Sequence, residues 1–121
     1  MNIQIFVKSK SFDCKKAERF FKERNIKYQR IDLEDKGMSK GEYNSVKAAV
    51  GGDFQKLIDK KCKLYDKLFI AHLAYPSQIE EKLLENGGLF AAPIVRNGKA
   101  VTIGVDERTW NKWIEEDKKG E

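Results

Sequence analysis

The first third of the chain changes from a strand-like to a helix-like hydrophobic pattern and back again. Residues 3–7 are β-branched and aromatic and alternate as a strand does, and a polar loop follows at 9–13. The next stripe has helical spacing, runs to about Asn25 and consists of Ala17, Phe20, Phe21 and Arg24. Residues 28–33 again favour a strand. This part therefore predicts a βαβ unit with parallel strands and a right-handed crossover.

The middle of the chain, residues 39–88, predicts helices throughout. Ser39 and Glu42 have the spacing of a capping box, which starts a helix that runs to about Val50. Further helices are predicted at 54–58, 64–69 and 76–86. The last of these is expected to end at Gly87. The residues that it is expected to bury are Ile79, Leu83 and Leu84.

The last third indicates a hairpin and a closing helix. Asn97-Gly98 lies between two short β runs, at 93–96 and 99–103, which is a strong signal for a two-residue hairpin. Asp106 is expected to cap a helix whose apolar face consists of Trp110, Trp113 and Ile114. The charged residues after this face are expected to fray.

The predicted element order is β-α-β, several helices, then β-β-α. A parallel βαβ half joined to an antiparallel hairpin and a helix gives a four-stranded mixed sheet flanked by helices. This is an α/β, thioredoxin-like fold with a helical insertion at about 39–88. We expect a single domain over 1–121, because a chain of 121 residues leaves little room for a second one.

Composition excludes several classes of protein. Hydrophobic residues make up 40% of the chain and charged residues 36%, which suits one core under a charged surface rather than a disordered, collagen-like or coiled-coil chain. No apolar run approaches the ~18–20 residues of a membrane span, and no apolar stretch follows Met1 as in a signal peptide. We therefore expect a soluble, cytoplasmic protein with no membrane partner.

The net charge of +5 comes from 24 basic and 19 acidic residues that alternate along the chain. Alternating signs are typical of a solvated surface, so we expect no direct binding of nucleic acid. The one local concentration of basic residues consists of Lys8, Lys10, Lys15 and Lys16.

The cysteine and histidine content argues against a bound metal or cofactor. Cys14 and Cys62 are the two cysteines and form no Cys-x-x-Cys motif. A disulfide framework needs more cysteines, and a zinc site needs about four ligands. The single histidine, His72, is more often structural than catalytic in such an apolar stretch, and the glycine pairs match no nucleotide-binding motif.

Four segments together resemble one family over roughly residues 3–114. They are Cys14-Lys15-Lys16-Ala17, the run Lys63-Leu64-Tyr65-Asp66-Lys67-Leu68, Leu84-Glu85-Asn86-Gly87 leading to Ala92-Pro93-Ile94-Val95, and Gly104-Val105-Asp106 followed by Trp110. In their order and spacing the chain resembles the arsenate reductase (ArsC) and Spx family of thioredoxin-fold proteins.

The resemblance implies a site at the start of the first helix. The position of the family's nucleophilic cysteine is Ser11 here, and the second cysteine of Spx-like members corresponds to Cys14. The arginine that arsenate reductases carry before the proline corresponds to Ala92. Their other oxyanion-binding arginines fall at Asp59 and near Ile103.

Each residue of this site has two possible interpretations. Ser11 is either an ordinary helix N-cap or the position of the reacting group, and Cys14 is either a buried small hydrophobe or a reactive thiol. Cys62 lies among lysines that would activate it if it is exposed, although a surface thiol without a function is the commoner case. Lys8, Lys10 and Lys15 are expected to favour an anion or an acidic partner at the helix N-terminus.

The resemblance also implies a cis peptide bond between Ala92 and Pro93, at the start of the third strand. The backbone of Ala92 would then pair with an extended thiol substrate or peptide, as in strand addition.

The leading interpretation is an ArsC-family protein with a modified active site. The resemblance implies thiol-dependent reduction with glutathione or glutaredoxin as co-substrate, and Cys14 is the remaining thiol. We expect no competent arsenate reduction, because Ser11 provides no thiolate and Ala92 no cation. The alternative is a non-enzymatic regulator resembling Spx, which binds the α subunit of RNA polymerase, and a third hypothesis is a thiol enzyme that works through Cys14 alone.

Overall fold

Four strands form one mixed sheet with the order β2-β1-β3-β4 across it. A computed structural model describes residues 1–119 and places the strands at Ile3–Val7 (β1), Tyr28–Asp32 (β2), Ile94–Asn97 (β3) and Ala100–Ile103 (β4). Strands β1 and β2 are parallel, whereas β3 is antiparallel to both of its neighbours. The predicted parallel βαβ half and the hairpin at Asn97-Gly98 are confirmed.

Helices cover both faces of this sheet. The α-helices are Phe12–Glu23 (α1), Lys40–Ala49 (α2), Lys63–Lys67 (α3), Pro76–Glu85 (α4) and Glu107–Lys119 (α5). Short 3₁₀ turns lie at Phe54–Leu57, Ile70–His72 and Gly87–Leu89. No helix within residues 1–119 is long and apolar enough to cross a membrane.

Two hydrophobic clusters form the core, one on each side of the sheet, because side chains alternate along β1. Ile5 and Val7 belong to the cluster under α1 and α5, whereas Phe6 belongs to the cluster under the insertion. The first cluster is rich in aromatic rings, and the centroids of Phe20 and Phe21 lie 5.1 and 5.3 Å from that of Trp110. The central strand β1 is therefore buried on both faces, as in a three-layer α/β fold.

Polar contacts join α1 to the edge strand β2. The Tyr28 hydroxyl donates a hydrogen bond to Glu18 at 3.0 Å, and the Arg30 guanidinium pairs with the same carboxylate at 3.2 Å. Burial, together with the bond to Glu18, raises the pKa of Tyr28 to about 12. These contacts fix the outer edge of the βαβ unit.

The insertion is less regular than the predicted run of helices, and that prediction is wrong in part. The capping box of Ser39 and Glu42 starts α2 as expected, but after α2 the chain forms two 3₁₀ turns and the five-residue α3 before α4. Gly51 and Gly52 end α2 at positive φ, 74° and 80°, and Phe69 interrupts the chain again at φ 56°. Left-handed residues of this kind break a helix.

The end of α1 agrees with the prediction. The helix ends at Glu23 with Arg24 as its C-cap, and Asn25 follows at a left-handed φ of 56°. The stripe residue Arg24 is exposed, and its guanidinium lies 3.6 Å from the centroid of the Phe20 ring.

The ends of α4 and α5 require two further corrections. Leu84 is half-buried rather than buried, and Gly87 starts a 3₁₀ turn instead of ending α4. The charged residues after Ile114 stay helical to Lys119 instead of fraying, and the amino terminus of the chain pairs with Asp117 at 2.9 Å. The expected single domain includes residues 120 and 121, which lie outside the described residues.

Gly87 lies where another part of the backbone approaches closely. A Cβ atom added there would overlap the carbonyl oxygen of Leu33, whereas nothing lies within 4 Å of a Cβ added at Gly41 in α2. Gly87→Ala should therefore lower the free energy of unfolding by about 1–3 kcal/mol or more. Gly41→Ala should raise it by about 0.5–1 kcal/mol. Urea unfolding of both variants checks this, and wild-type stability of Gly87→Ala would contradict the close approach.

Candidate functional site

The loop after β1 places Ser11 at the N-cap of α1. The Ser11 N–H donates to the carbonyl oxygen of Lys8 at 3.2 Å, and the Ser11 hydroxyl oxygen accepts the N–H of Cys14 at 3.2 Å. The backbone at Ser11 is extended, with φ −87° and ψ 123°, as N-cap residues usually are. The N-cap interpretation of Ser11 is confirmed, so its hydroxyl already has a structural task.

Cys14 lies in the core rather than at the surface. Its side chain is 1% exposed, and it shares the buried face of α1 with Ala17 and Phe21, as the helical spacing predicted. Its sulfur accepts the backbone N–H of Lys8 at 3.4 Å. This environment favours the interpretation of Cys14 as a buried small residue, and a catalytic role for it stays a prediction.

A groove of about 430 Å³ opens beside Ser11. One wall is the loop after β1, and the other is the turn that leads into α3. The lining residues are Lys8, Ser9, Lys10, Ser11, Glu34, Asp59, Cys62, Lys63, Leu64 and Gly88. The groove thus joins the predicted site at the start of α1 to a segment of the insertion.

An ion pair connects the two walls. The ammonium group of Lys8 lies 3.4 Å from the carboxylate of Asp59, and the side chain of Lys8 is only 15% exposed. Asp59 is where the resemblance places an arginine of the arsenate reductases. The reversed charge at this position, together with the neutralised Lys8, leaves fewer cations for an oxyanion than the sequence pattern predicted.

Cys62 lines the groove, a position that the sequence alone did not predict. Its N–H donates to the carbonyl oxygen of Asp59 at 3.3 Å, which closes a tight turn and brings its half-buried side chain to the groove wall. Its flanking lysines marked it as a candidate thiol, but no local signal in the sequence indicates that it lines the same groove as Ser11.

Several predicted site residues lie outside the groove wall. Lys15 points along α1, with its ammonium group 5.6 Å from the centroid of the Phe12 ring. Ala92 is half-buried and Pro93 is buried, and the bond between them is cis, which confirms that prediction. Neither residue lines the groove. His72 is exposed in a 3₁₀ turn of the insertion.

An unusually exposed aromatic ring follows the groove residue Ser11 in the sequence. Phe12, the first residue of α1, has 79% of its surface exposed, although most large apolar side chains of this chain are buried. It follows the groove residue Ser11 directly. The groove therefore offers lysine side chains and one half-buried thiol, and an exposed ring follows it in sequence.

The fold defines an α/β protein of the thioredoxin-like class, with a groove beside Ser11 at the start of α1. The model of the ArsC family matches residues 6–113, and the chain belongs to that family.

Solved structures agree with the fold. An ArsC family related protein from Bacteroides fragilis superposes with a TM-score of 0.77 at 22% identity, over 93% of this chain and 98% of that one. The arsenate reductase from Vibrio cholerae gives a TM-score of 0.76 at 17% identity, with 85% and 89% of the two chains covered. An arsenate reductase related protein from Brucella melitensis gives 0.68 at 15% identity, with 94% and 95% covered. No curated protein matches the sequence.

Proposed function

We propose that this ArsC-family protein binds a partner at the groove beside α1 without reducing arsenate. The proposal rests on the two positions where the resemblance implies a reacting group. The hydroxyl of Ser11 caps the helix, and Cys14 is 1% exposed. The family's fold is retained, while the exposed thiol that the chemistry requires is missing from α1.

Chemical requirements support this proposal. Attack on arsenate needs a thiolate, which a helix N-terminus and nearby cations stabilise, and a serine hydroxyl ionises far above neutral pH. The oxyanion also needs cationic partners. Ala92 has no charge, and Asp59 would repel the oxyanion unless Lys8 kept it neutralised.

The first test is a glutaredoxin-coupled assay with arsenate, glutathione and the purified protein. We expect no turnover, whereas ordinary enzymes reach about 1–10³ s⁻¹. The arsenate reductase from Vibrio cholerae, to which the chain is similar, is the positive control. Turnover of about 1 s⁻¹ or faster would contradict the proposal.

If the partner is a protein, the proposed function is that of a regulator resembling Spx. The resemblance suggests the α subunit of RNA polymerase as the partner to try first. If the groove binds it, immobilised protein should retain purified α subunit at low salt, and Lys63→Glu should reduce the amount retained. Retention that is unchanged by Lys63→Glu would place the contact elsewhere.

Thiol exchange with glutathione is a second candidate function, and the position of Cys62 favours it. Cys62 is the cysteine on the groove wall, and three lysines flank it in sequence, Lys60, Lys61 and Lys63. Attack of its thiolate on oxidised glutathione would form a mixed disulfide and release one reduced glutathione.

Alkylation with iodoacetamide tests this second candidate. Cys62 should react much faster than Cys14, because the core must open before Cys14 meets the reagent. Mass spectrometry after oxidised glutathione should find the adduct at Cys62, and Cys62→Ser should abolish it. An adduct at Cys14 in native buffer would instead revive the Cys14 hypothesis.

A further inference from the structure

We infer that the partner segment in this groove is an acidic polypeptide carrying at least one apolar side chain. This inference rests on the proposed function, which says that the groove binds a partner, and it adds the chemistry of that partner. The supporting observations are the distribution of charge on the two walls, the exposed ring of Phe12 and the apolar side chains inside the groove.

Both walls carry lysines that lack an acidic partner. Lys10 lies on the loop after β1 and Lys63 lies at the start of α3, and across residues 1–119 neither forms an ion pair. The third groove lysine, Lys8, is paired with Asp59. Unpaired lysines on both walls of one groove attract a negatively charged segment.

The lysines continue beyond the groove on both segments. Residues 8–16 contain four lysines and one acid, Asp13, and residues 60–63 contain three lysines and no acid. The exposed members of this set are Lys10, Lys15, Lys16, Lys60, Lys61 and Lys63. Among the groove residues three lysines stand beside two acids, Glu34 and Asp59, and the exposed lysines next to the groove add to this excess of positive charge, which favours an acidic partner.

Apolar surface adjoins these cations. Cys62 and Leu64 supply apolar surface on the wall formed by the insertion, and Phe12, next to the groove residue Ser11 in sequence, is 79% exposed. A small inorganic anion would use the lysines but not this apolar surface. A polypeptide with an apolar side chain among its acids would use both, because burying an exposed aromatic ring contributes to binding.

The carboxylates of the groove favour a polypeptide over a nucleic acid. Glu34 and Asp59 both line it, and a phosphate backbone laid along the groove would approach both of them. A peptide can instead place its backbone N–H groups against Glu34 and its acidic side chains against Lys10 and Lys63. The volume of about 430 Å³ lies within the range of about 300–1,000 Å³ that binding pockets usually have.

Fluorescence anisotropy with three labelled probes tests the inference. The probes are a short peptide that alternates Glu with Leu, the same peptide with Gln in place of Glu, and a single-stranded oligonucleotide of equal charge. The Glu peptide should bind at least about tenfold more tightly than the Gln peptide at low salt. Its affinity should fall as salt shortens the screening length from about 30 Å at 0.01 M to about 8 Å at 0.15 M.

Matched variants locate the contact. Lys10→Glu combined with Lys63→Glu should weaken binding of the Glu peptide about tenfold or more, whereas Lys99→Glu on the exposed turn of the hairpin should leave it unchanged. Phe12→Ala should weaken binding several-fold. Phe69→Ala, which removes a ring that is 66% exposed on the insertion, should have no effect. Circular dichroism confirms that each variant is folded.

The outcomes separate this inference from the proposed function. Failure of the Glu peptide to bind the folded protein, binding that the groove variants do not weaken, or preference for the oligonucleotide would overturn the acidic polypeptide. The coupled arsenate assay is run on the same preparation. If the protein turns over arsenate and still binds the Glu peptide, the proposed function alone is overturned. If it neither turns over arsenate nor binds the peptide, the inference alone is overturned.

Discussion

Replacing Trp110 with alanine should lower the free energy of unfolding by about 3–5 kcal/mol, the range for removal of a large buried aromatic side chain. Trp110 is 0% exposed, and its ring packs against those of Phe20 and Phe21. Its indole N–H donates to the hydroxyl of Thr102 at 2.8 Å. The substitution would open a cavity between α1, α5 and the sheet and would leave the buried Thr102 hydroxyl without this donor.

Two further variants separate packing from the hydrogen bond. Trp110→Phe keeps an aromatic ring but removes the donor to Thr102, so it should lower the free energy of unfolding less than Trp110→Ala does. About 1–3 kcal/mol of its loss should arise from the unpaired Thr102 hydroxyl. Adding Thr102→Val to Trp110→Phe should restore part of that loss, because both polar partners are then apolar. Guanidinium unfolding measures all four proteins. A loss below about 1 kcal/mol for Trp110→Ala would contradict the central position of this ring.

The sheet and its flanking helices were predictable because their signals are local. Alternation in residues 3–7 and the stripe of Ala17, Phe20 and Phe21 follow from the periods of a strand and a helix. The Asn97-Gly98 turn fixes the hairpin, because both central residues of a tight hairpin favour positive φ, and Gly98 adopts φ 60°. These features need no knowledge of distant parts of the chain.

The insertion was harder to predict because its elements are short and depend on tertiary contacts. Helix α3 has five residues and no buried side chain, so it has too few turns for a clear hydrophobic period. The left-handed conformation of Phe69 has no signal in the sequence, since aromatic residues seldom adopt it. The bridge between Ile58 and Phe90 joins residues far apart in sequence.

The residue patterns predicted the site on one wall only, and on the other wall the family resemblance indicated Asp59 alone. The cap at Ser11 and the buried face with Cys14 follow from residue types near the start of α1. The opposite wall comes from a contact between Lys8 and Asp59, which are 51 positions apart. No local sequence pattern predicts such a contact, so only the structure shows that Cys62 lines the groove.

Ser11→Cys should convert the start of α1 into a redox-active Cys-x-x-Cys site. The hydroxyl of Ser11 accepts the N–H of Cys14 at 3.2 Å, so a sulfur in its place would lie one helical turn from the Cys14 thiol. Disulfides form when the two Cβ atoms are about 3.5–4.5 Å apart, a separation that this motif in this fold usually provides. The helix N-terminus and Lys10 should stabilise the new thiolate.

Oxidation by diamide should therefore leave one free thiol in this variant, that of Cys62, whereas the unmodified protein should keep both of its thiols. When reduced, the variant should gain one rapidly alkylated thiol and form mixed disulfides with glutathione. The loss of the Ser11 cap should cost about 0.5–2 kcal/mol of stability. Arsenate reduction should remain poor, because Ala92 still provides no cation.

Two control variants make the result specific to the paired position. Ser11→Cys combined with Cys14→Ala should gain the fast thiol but form no internal disulfide, which shows that Cys14 is the second partner. Ser9→Cys, on the same exposed loop, should add a thiol that reacts with glutathione without bridging to Cys14. If Ser11→Cys keeps all three thiols free after diamide, the side chain at position 11 does not face Cys14. The buried thiol would then be inaccessible even to a neighbour one turn away, and α1 could not be returned to thiol chemistry by restoring one cysteine.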